Sequence, residues 1–198
     1  MATLRAPSSL PTTAASPSLT PPLLSWLSGS WSVTHSTLPM WKKSRNVQIT
    51  YKAIASTSPP QIDDLVTYQN LTSDKVKTVT GVDKPFEVPN TEAAPEAEGG
   101  ERASLGYNWR GKGLLMIATS KWEILGYGDE EGTGNSWVVT YFAKTLFTPA
   151  GIDFYSRKGS LAPKTIEDIK AGLAALGGDV ATLAEQLFEV KMDEDRTG

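Results

Sequence analysis

The chain of 198 residues contains no cysteine and a single histidine, His35. The missing cysteine removes disulfides, thiolate catalysis and zinc–sulfur sites together, and it suits a reducing compartment. With one histidine and no Asp or Glu clustered at ligand spacing, neither a metal nor another cofactor is expected. No stretch reaches the roughly 20 apolar residues that span a bilayer, so no membrane span is expected. Residues 1–20 are rich in Ser, Thr, Pro and Ala, carry one charge at Arg5 and lack the apolar centre of a secretory signal. Their composition is compatible with a transit peptide, but it reads first as a disordered tail, and the chain is expected in the cytoplasm. Asn70-Leu71-Thr72 is a glycosylation tripeptide that matters only in a secreted chain. The glycines between 126 and 134 are interrupted by acids that would repel phosphate, and no nucleophile elbow is present. A net charge of −3 offers no electrostatic reason to bind nucleic acid.

What is present is alternation. Apolar and polar residues alternate over 31–36 (WSVTHS), 46–51 (NVQITY), 64–69 (DLVTYQ) and 76–82 (VKTVTGV), as in strands with one buried face. Further strands are expected over 105–109, 114–125, 137–144 and 152–157. About eight strands separated by Gly, Pro, Asn and Asp clusters describe a sandwich or an up-and-down barrel. Arg110-Gly111-Lys112-Gly113 reads as a tight hairpin turn. Two connections are long, 56–62 with Pro59-Pro60 and 83–102 with three prolines and five glutamates, and the second is expected to be mobile. Before the strands, Thr20-Pro21-Pro22 followed by Leu23, Leu24, Trp26 and Leu27 predicts a short plugging helix. After them the period changes. Thr165 caps a helix whose Ile166, Ile169, Leu173 and Leu176 share a face. Gly177-Gly178 ends it, and Asp179 starts a second helix carrying Val180, Leu183 and Leu187.

Gly29-Ser30-Trp31, just after the plugging helix, resembles the Gly-x-Trp motif of the lipocalins. In that family the Trp closes the barrel floor beneath an Arg at the end of the last strand, and Arg157 stands in that place here. The resemblance covers residues from about 21 to 188. The family's middle motif is only echoed by Thr140-Tyr141, and the disulfides of its secreted members are absent. Residues 33–41 also resemble stretches of small fungal calycin-like proteins. What the resemblance implies is a mainly β protein: a single eight-stranded antiparallel barrel over 21–190, with C-terminal helices packed outside and tails at 1–20 and 191–198. It further implies one hydrophobic small molecule as partner.

The strands supply candidates for the interior. If Trp31, Val33 and His35 point inward, Tyr51, Tyr68, Trp109 and Trp122 share the interior with them, and Trp41 and Met116 complete an aromatic, polarisable wall. On the sixth strand Lys121 and Glu123 then face water. A few hundred Å³ of cavity is expected, as usual for small-ligand sites. His35 is the candidate acid–base group and Arg45 the candidate holder of a carbonyl or enolate at the pocket mouth. Such a site suits a cofactor-free enzyme of specialised metabolism, a cyclase or isomerase like the Diels–Alderases built on lipocalin-like folds. A carrier of a lipid, pigment or terpenoid is the alternative, and haem held by His35 a third.

Overall fold

The computed structural model describes residues 2–10, 16–93, 99–113, 116–146 and 148–193. A one-turn helix, α1 (Leu24–Leu27), leads into β1 (Gly29–Ser36), and a 3-10 turn (Pro39–Lys43) connects to β2 (Ser44–Ala53). There follow β3 (Ile62–Asn70), β4 (Val76–Phe86), β5 (Gly106–Gly111), β6 (Thr119–Glu130), β7 (Asn135–Phe142) and β8 (Gly151–Ser156). Helices α2 (Pro163–Leu176) and α3 (Gly178–Ala184) and a two-residue strand β9 (Phe188–Glu189) end the described chain.

Each of the eight long strands pairs antiparallel with its sequence neighbour, and β1 pairs with both β8 and β2. That double pairing closes the sheet into a barrel and leaves it no free edge. Where β1 leaves β2, β9 takes the vacated side, pairing with His35 and Ser36.

Period-two alternation then divides the buried side chains into two sets. The inner set includes Trp31, Val47, Ile49, Tyr51, Tyr107 and Trp122. The outer set includes Leu125, Val139, Tyr141, Ile152 and Phe154, and it is covered by Ile169, Leu173 and Leu176 of α2 and Val180 of α3. The helices therefore pack outside the barrel, as their apolar stripes imply.

Several boundaries differ from the sequence reading. The plugging helix is a single turn, because residues 19–24 spend their backbone groups on the long β4–β5 connection: Leu19 N–H donates to Asn90, Leu24 N–H to Glu101, and Ala103 N–H to Pro22. That connection, expected to be mobile throughout, is tied down at 88–92 and 101–103, while 94–98 lie outside the described residues. Strand β5 runs on to Gly111 and β6 begins at Thr119, so the expected turn at 110–113 and strand start at 114 are displaced, and Met116 sits 59% exposed before β6. Helix α2 starts with Pro163 at its first position after Ala162, which suits proline's missing N–H.

The largest departure is the N-terminus. Residues 2–10 do not trail from the barrel but lie along its outer face. Arg5 N–H donates to Leu125 at 2.7 Å, and Leu4 wedges between β6 and α2. The fit depends on two glycines: a Cβ on Gly126 would stand 2.3 Å from Leu4 and one on Gly172 2.9 Å from it. Arg5, only 1% exposed, pairs with Glu123 at 2.7 Å, and Glu123 also accepts from the Ser8 hydroxyl and amide. Glu123 thus does not face water. The alternation placed it correctly on the outer face, but the N-terminal segment covers that face.

Candidate functional site

The floor of the barrel is built first by sequence-local means. Helix α1 delivers Trp26 against Trp31, ring centroids 5.3 Å apart, and the Trp31 indole N–H donates back to Leu27 at 2.8 Å. The Arg157 guanidinium lies 3.6 Å from the centroid of the Trp31 ring, a cation–π contact. It also donates to the carbonyls of Trp26, Ser28 and Ser30. Burial lowers its pKa to about 10, so it remains charged at neutral pH. Trp31 and Arg157 are thus in direct contact at the barrel floor.

Above the floor the interior carries aromatic rings and acids. Tyr51, Trp122 and Tyr107 form a three-ring stack, with centroids 5.5 and 4.8 Å apart and interplanar angles of 10° and 23°. The Trp122 indole N–H donates to Asp83 at 2.7 Å. Trp109 lies flat against β4, where Gly81 leaves room: a Cβ there would stand 2.1 Å from its indole nitrogen. Asp64, opposite Tyr51 in the β2–β3 register, faces inward beside this stack. Asp153 of β8 accepts from the Ser36 hydroxyl at 2.5 Å.

These three acids are buried, at 8% exposure for Asp64, 0% for Asp83 and 4% for Asp153. Arg5 is the one basic residue so buried among the described residues, and it lies outside the barrel on Glu123. With no cation to offset the loss of hydration, burial raises the pKa of Asp64 and of Asp153 to about 7. Asp83 is pushed well up by burial and then by the neighbouring Asp64, against the pull of the Trp122 hydrogen bond. The Tyr51 and Tyr155 phenols, also deeply buried, are pushed up for the same reason.

Between these groups lies a cavity of about 140 Å³, walled by Ile49, Tyr51, Trp109, Trp122, Phe142 and Tyr155, with Asp64, Ser120 and Thr140 as polar lining. Val66, Trp109, Ser120 and Phe142 are partly exposed, so the cavity opens on that side. It is smaller than the few hundred Å³ expected, because the stacked rings occupy the rest of the interior. Asp64 Oδ1 and Thr140 Oγ1 are buried there without a hydrogen-bond partner.

The residues singled out from sequence divide accordingly. Tyr51, Trp109 and Trp122 line the cavity. Trp41 and Tyr68 belong to the inner set and meet edge-on at 5.2 Å, yet they line no part of it. Met116 stands on an exposed turn. His35 lies on the outer face. A register shift between Val33 and His35 reverses the alternation, so the imidazole meets Phe154 of the outer set at 5.5 Å. Its pKa is lowered, first by burial and then by Lys170 of α2, with Glu189 of β9 opposing. Arg45 is spent on Asp74 and Asp193 at the rim.

Sequence reading missed Asp64, Asp83, Asp153 and Tyr155. For Asp64 a signal was present, since it shares the inward phase of Val66 and Tyr68.

No family model and no curated protein matches this chain by sequence. Solved structures do match by shape. Apocrustacyanin A1 from lobster superposes with a TM-score of 0.54 at 12% identity, covering 87% of this chain and 81% of that one. The fold is lipocalin-like. The siderocalin Ex-FABP, which functions through dual ligand specificities, matches over 85% of this chain and 95% of that one at 12% identity. Its TM-score of 0.49 is too low to build on. At such identities the likeness speaks for the lipocalin-like fold alone. Among the described residues no helix is long and apolar enough to cross a membrane.

Proposed function

We propose that this lipocalin-like barrel binds one small molecule non-covalently inside its upper half. The observation that carries the reading is the cavity of about 140 Å³ walled by Tyr51, Trp109, Trp122, Phe142 and Tyr155. The cavity is open on one side and walled mainly by inner-set aromatic rings, a lining that suits a flat apolar guest. An apolar cavity of about 150 Å³ is large enough for a benzene ring. The site therefore suits a ring-sized group, and any longer apolar tail would leave past Val66 and Phe142 toward the opening.

Binding is favoured over catalysis. The cyclase or isomerase reading rested on His35 and Arg45, and neither side chain lines the cavity. The resemblance to small fungal calycin-like proteins rests on residues 33–41, and the relation to Diels–Alderases on fold analogy alone. Two tryptophans in the wall make the test direct. Benzyl alcohol and benzylamine are titrated against the protein while tryptophan emission and thermal stability are followed. Saturable quenching by at least one of them, abolished in Val66→Phe where a new ring fills the space, is expected. Failure of both probes to bind the wild type would overturn the reading.

A further inference from the structure

Among the described residues the barrel interior holds three buried carboxyls and no buried cation. Asp64 lines the cavity with Oδ1 unpartnered, and Asp83 stands behind it with Oδ2 equally unpartnered while its Oδ1 takes the Trp122 indole N–H. A buried polar atom left unsatisfied is destabilising until a partner is supplied. The groups facing Asp64 come from three strands: Tyr51 of β2, Asp83 of β4 and Tyr155 of β8, none of them basic. Tyr51, Trp109 and Trp122 line the cavity beside it, so a guest's ring would lie among aromatic side chains. Acids without a counter-ion, inside an aromatic wall, are complementary to positive charge.

A divalent metal fits poorly. Among the described residues no group of three His, Cys, Asp or Glu is placed to hold one, and hard divalent ions take six or more oxygen ligands.

We propose that the cavity takes a small protonated amine borne on a ring, its ammonium seated on the Asp64 carboxylate with Asp83 behind and its ring among Tyr51, Trp109 and Trp122. This inference rests on the reading of the barrel as a binding site and names the ligand's class.

Binding is then linked to a proton. Burial holds Asp64 protonated up to about pH 7, and an ammonium entering below that pH displaces the carboxyl proton. Each amine bound releases up to one proton, so affinity climbs with pH until Asp64 is ionised. The amine itself stays charged to about pH 10.

Benzylamine and its neutral counterpart benzyl alcohol are titrated by calorimetry at pH 6 and pH 8, against the wild type, Asp64→Asn and the double variant Asp64→Asn/Asp83→Asn. Thermal melts confirm that each variant is folded. The expected result is benzylamine binding about tenfold tighter at pH 8 than at pH 6. In Asp64→Asn its affinity falls by at least about tenfold and the pH dependence shrinks, while benzyl alcohol changes little with pH or variant. Benzyl alcohol binding as tightly as benzylamine, with neither responding to pH, would overturn the amine inference and leave the barrel site standing. Neither compound binding the wild type would overturn both readings.

Discussion

Arg157 shows how much one residue can be asked to hold. Its guanidinium covers Trp31 and bonds the carbonyls of Trp26 in α1, Ser28 in the turn and Ser30 in β1, so it clamps the plugging helix and the start of β1 onto the end of β8. Arg157→Ala removes the cation–π contact and leaves those carbonyls to water, at a cost of about 2–3 kcal/mol. Arg157→Lys should recover only part of this, because an ammonium lacks the planar fork that spans several acceptors. Urea unfolding of the three proteins checks the order; an unchanged midpoint for the Ala variant would contradict it. His35 is the opposite case. It sits between Phe154, Lys170 and Glu189 outside the barrel, so His35→Ala should leave benzylamine affinity within about twofold, which calorimetry can read. A tenfold loss would mean that the imidazole reaches the ligand after all.

Among the elements, the N-terminal segment carries the largest unexpected energy. Glu123 is 3% exposed and depends on Arg5 and Ser8 for its partners. Arg5→Ala should destabilise by about 3–5 kcal/mol, since it strands a buried charge. Arg5→Ala combined with Glu123→Gln should lose less, since no charge is left uncompensated. Deleting residues 1–10 uncovers Leu125 and the groove between Gly126 and Gly172 as well, so it should cost at least as much as Arg5→Ala. Denaturant midpoints of these variants rank the contributions; a truncated chain as stable as the full one would show that the segment adds nothing. The β1 bulge is a second element-level device. By shifting register between Val33 and His35 it turns Ser36 inward to meet Asp153 and sends the imidazole out.

For the molecule as a whole, the buried acids set a pH dependence of unusual sign. The unfolded chain releases these protons near pH 4, whereas Asp64 and Asp153 hold theirs to about 7 in the folded state. Groups with raised folded pKa values contribute stability that is complete below about pH 4 and disappears as pH rises through about 7. Each is worth on the order of a few kcal/mol across that window. Asp153→Asn keeps an acceptor for the Ser36 hydroxyl but cannot ionise. Its stability should therefore vary less than the wild type's between pH 5 and pH 8, with a gain at pH 8. Parallel pH profiles for the two proteins would rule this out. Ligand enters the same balance: a bound amine stabilises the ionised Asp64, so benzylamine should raise the melting temperature more at pH 8 than at pH 6.

The alternation of apolar and polar residues determined by itself that this chain forms about eight strands, and it left sandwich and barrel both open; the pairing of β1 with β8 and with β2 decided for the closed barrel. The Gly29-Ser30-Trp31 motif and Arg157 pointed to the floor only through their resemblance to the lipocalin pattern, whereas the stripe at Ile169, Leu173 and Leu176 marked an outer helix because that pattern is local in the chain. Only the tertiary structure decided which face His35 takes, because one extra residue in a ladder inverts everything beyond it and leaves no mark in the composition. Only the tertiary structure seated Arg5 on Glu123, a contact between residues 118 positions apart that Ser-, Thr- and Pro-rich surroundings conceal. The same holds for Asp64 and Asp83. Asp64 reads in sequence as an ordinary strand acid and Asp83 as the start of a long connection, and what sets their chemistry is that, among the described residues, no buried cation faces them across the barrel. That absence is a property of eight strands brought together, which no single strand records.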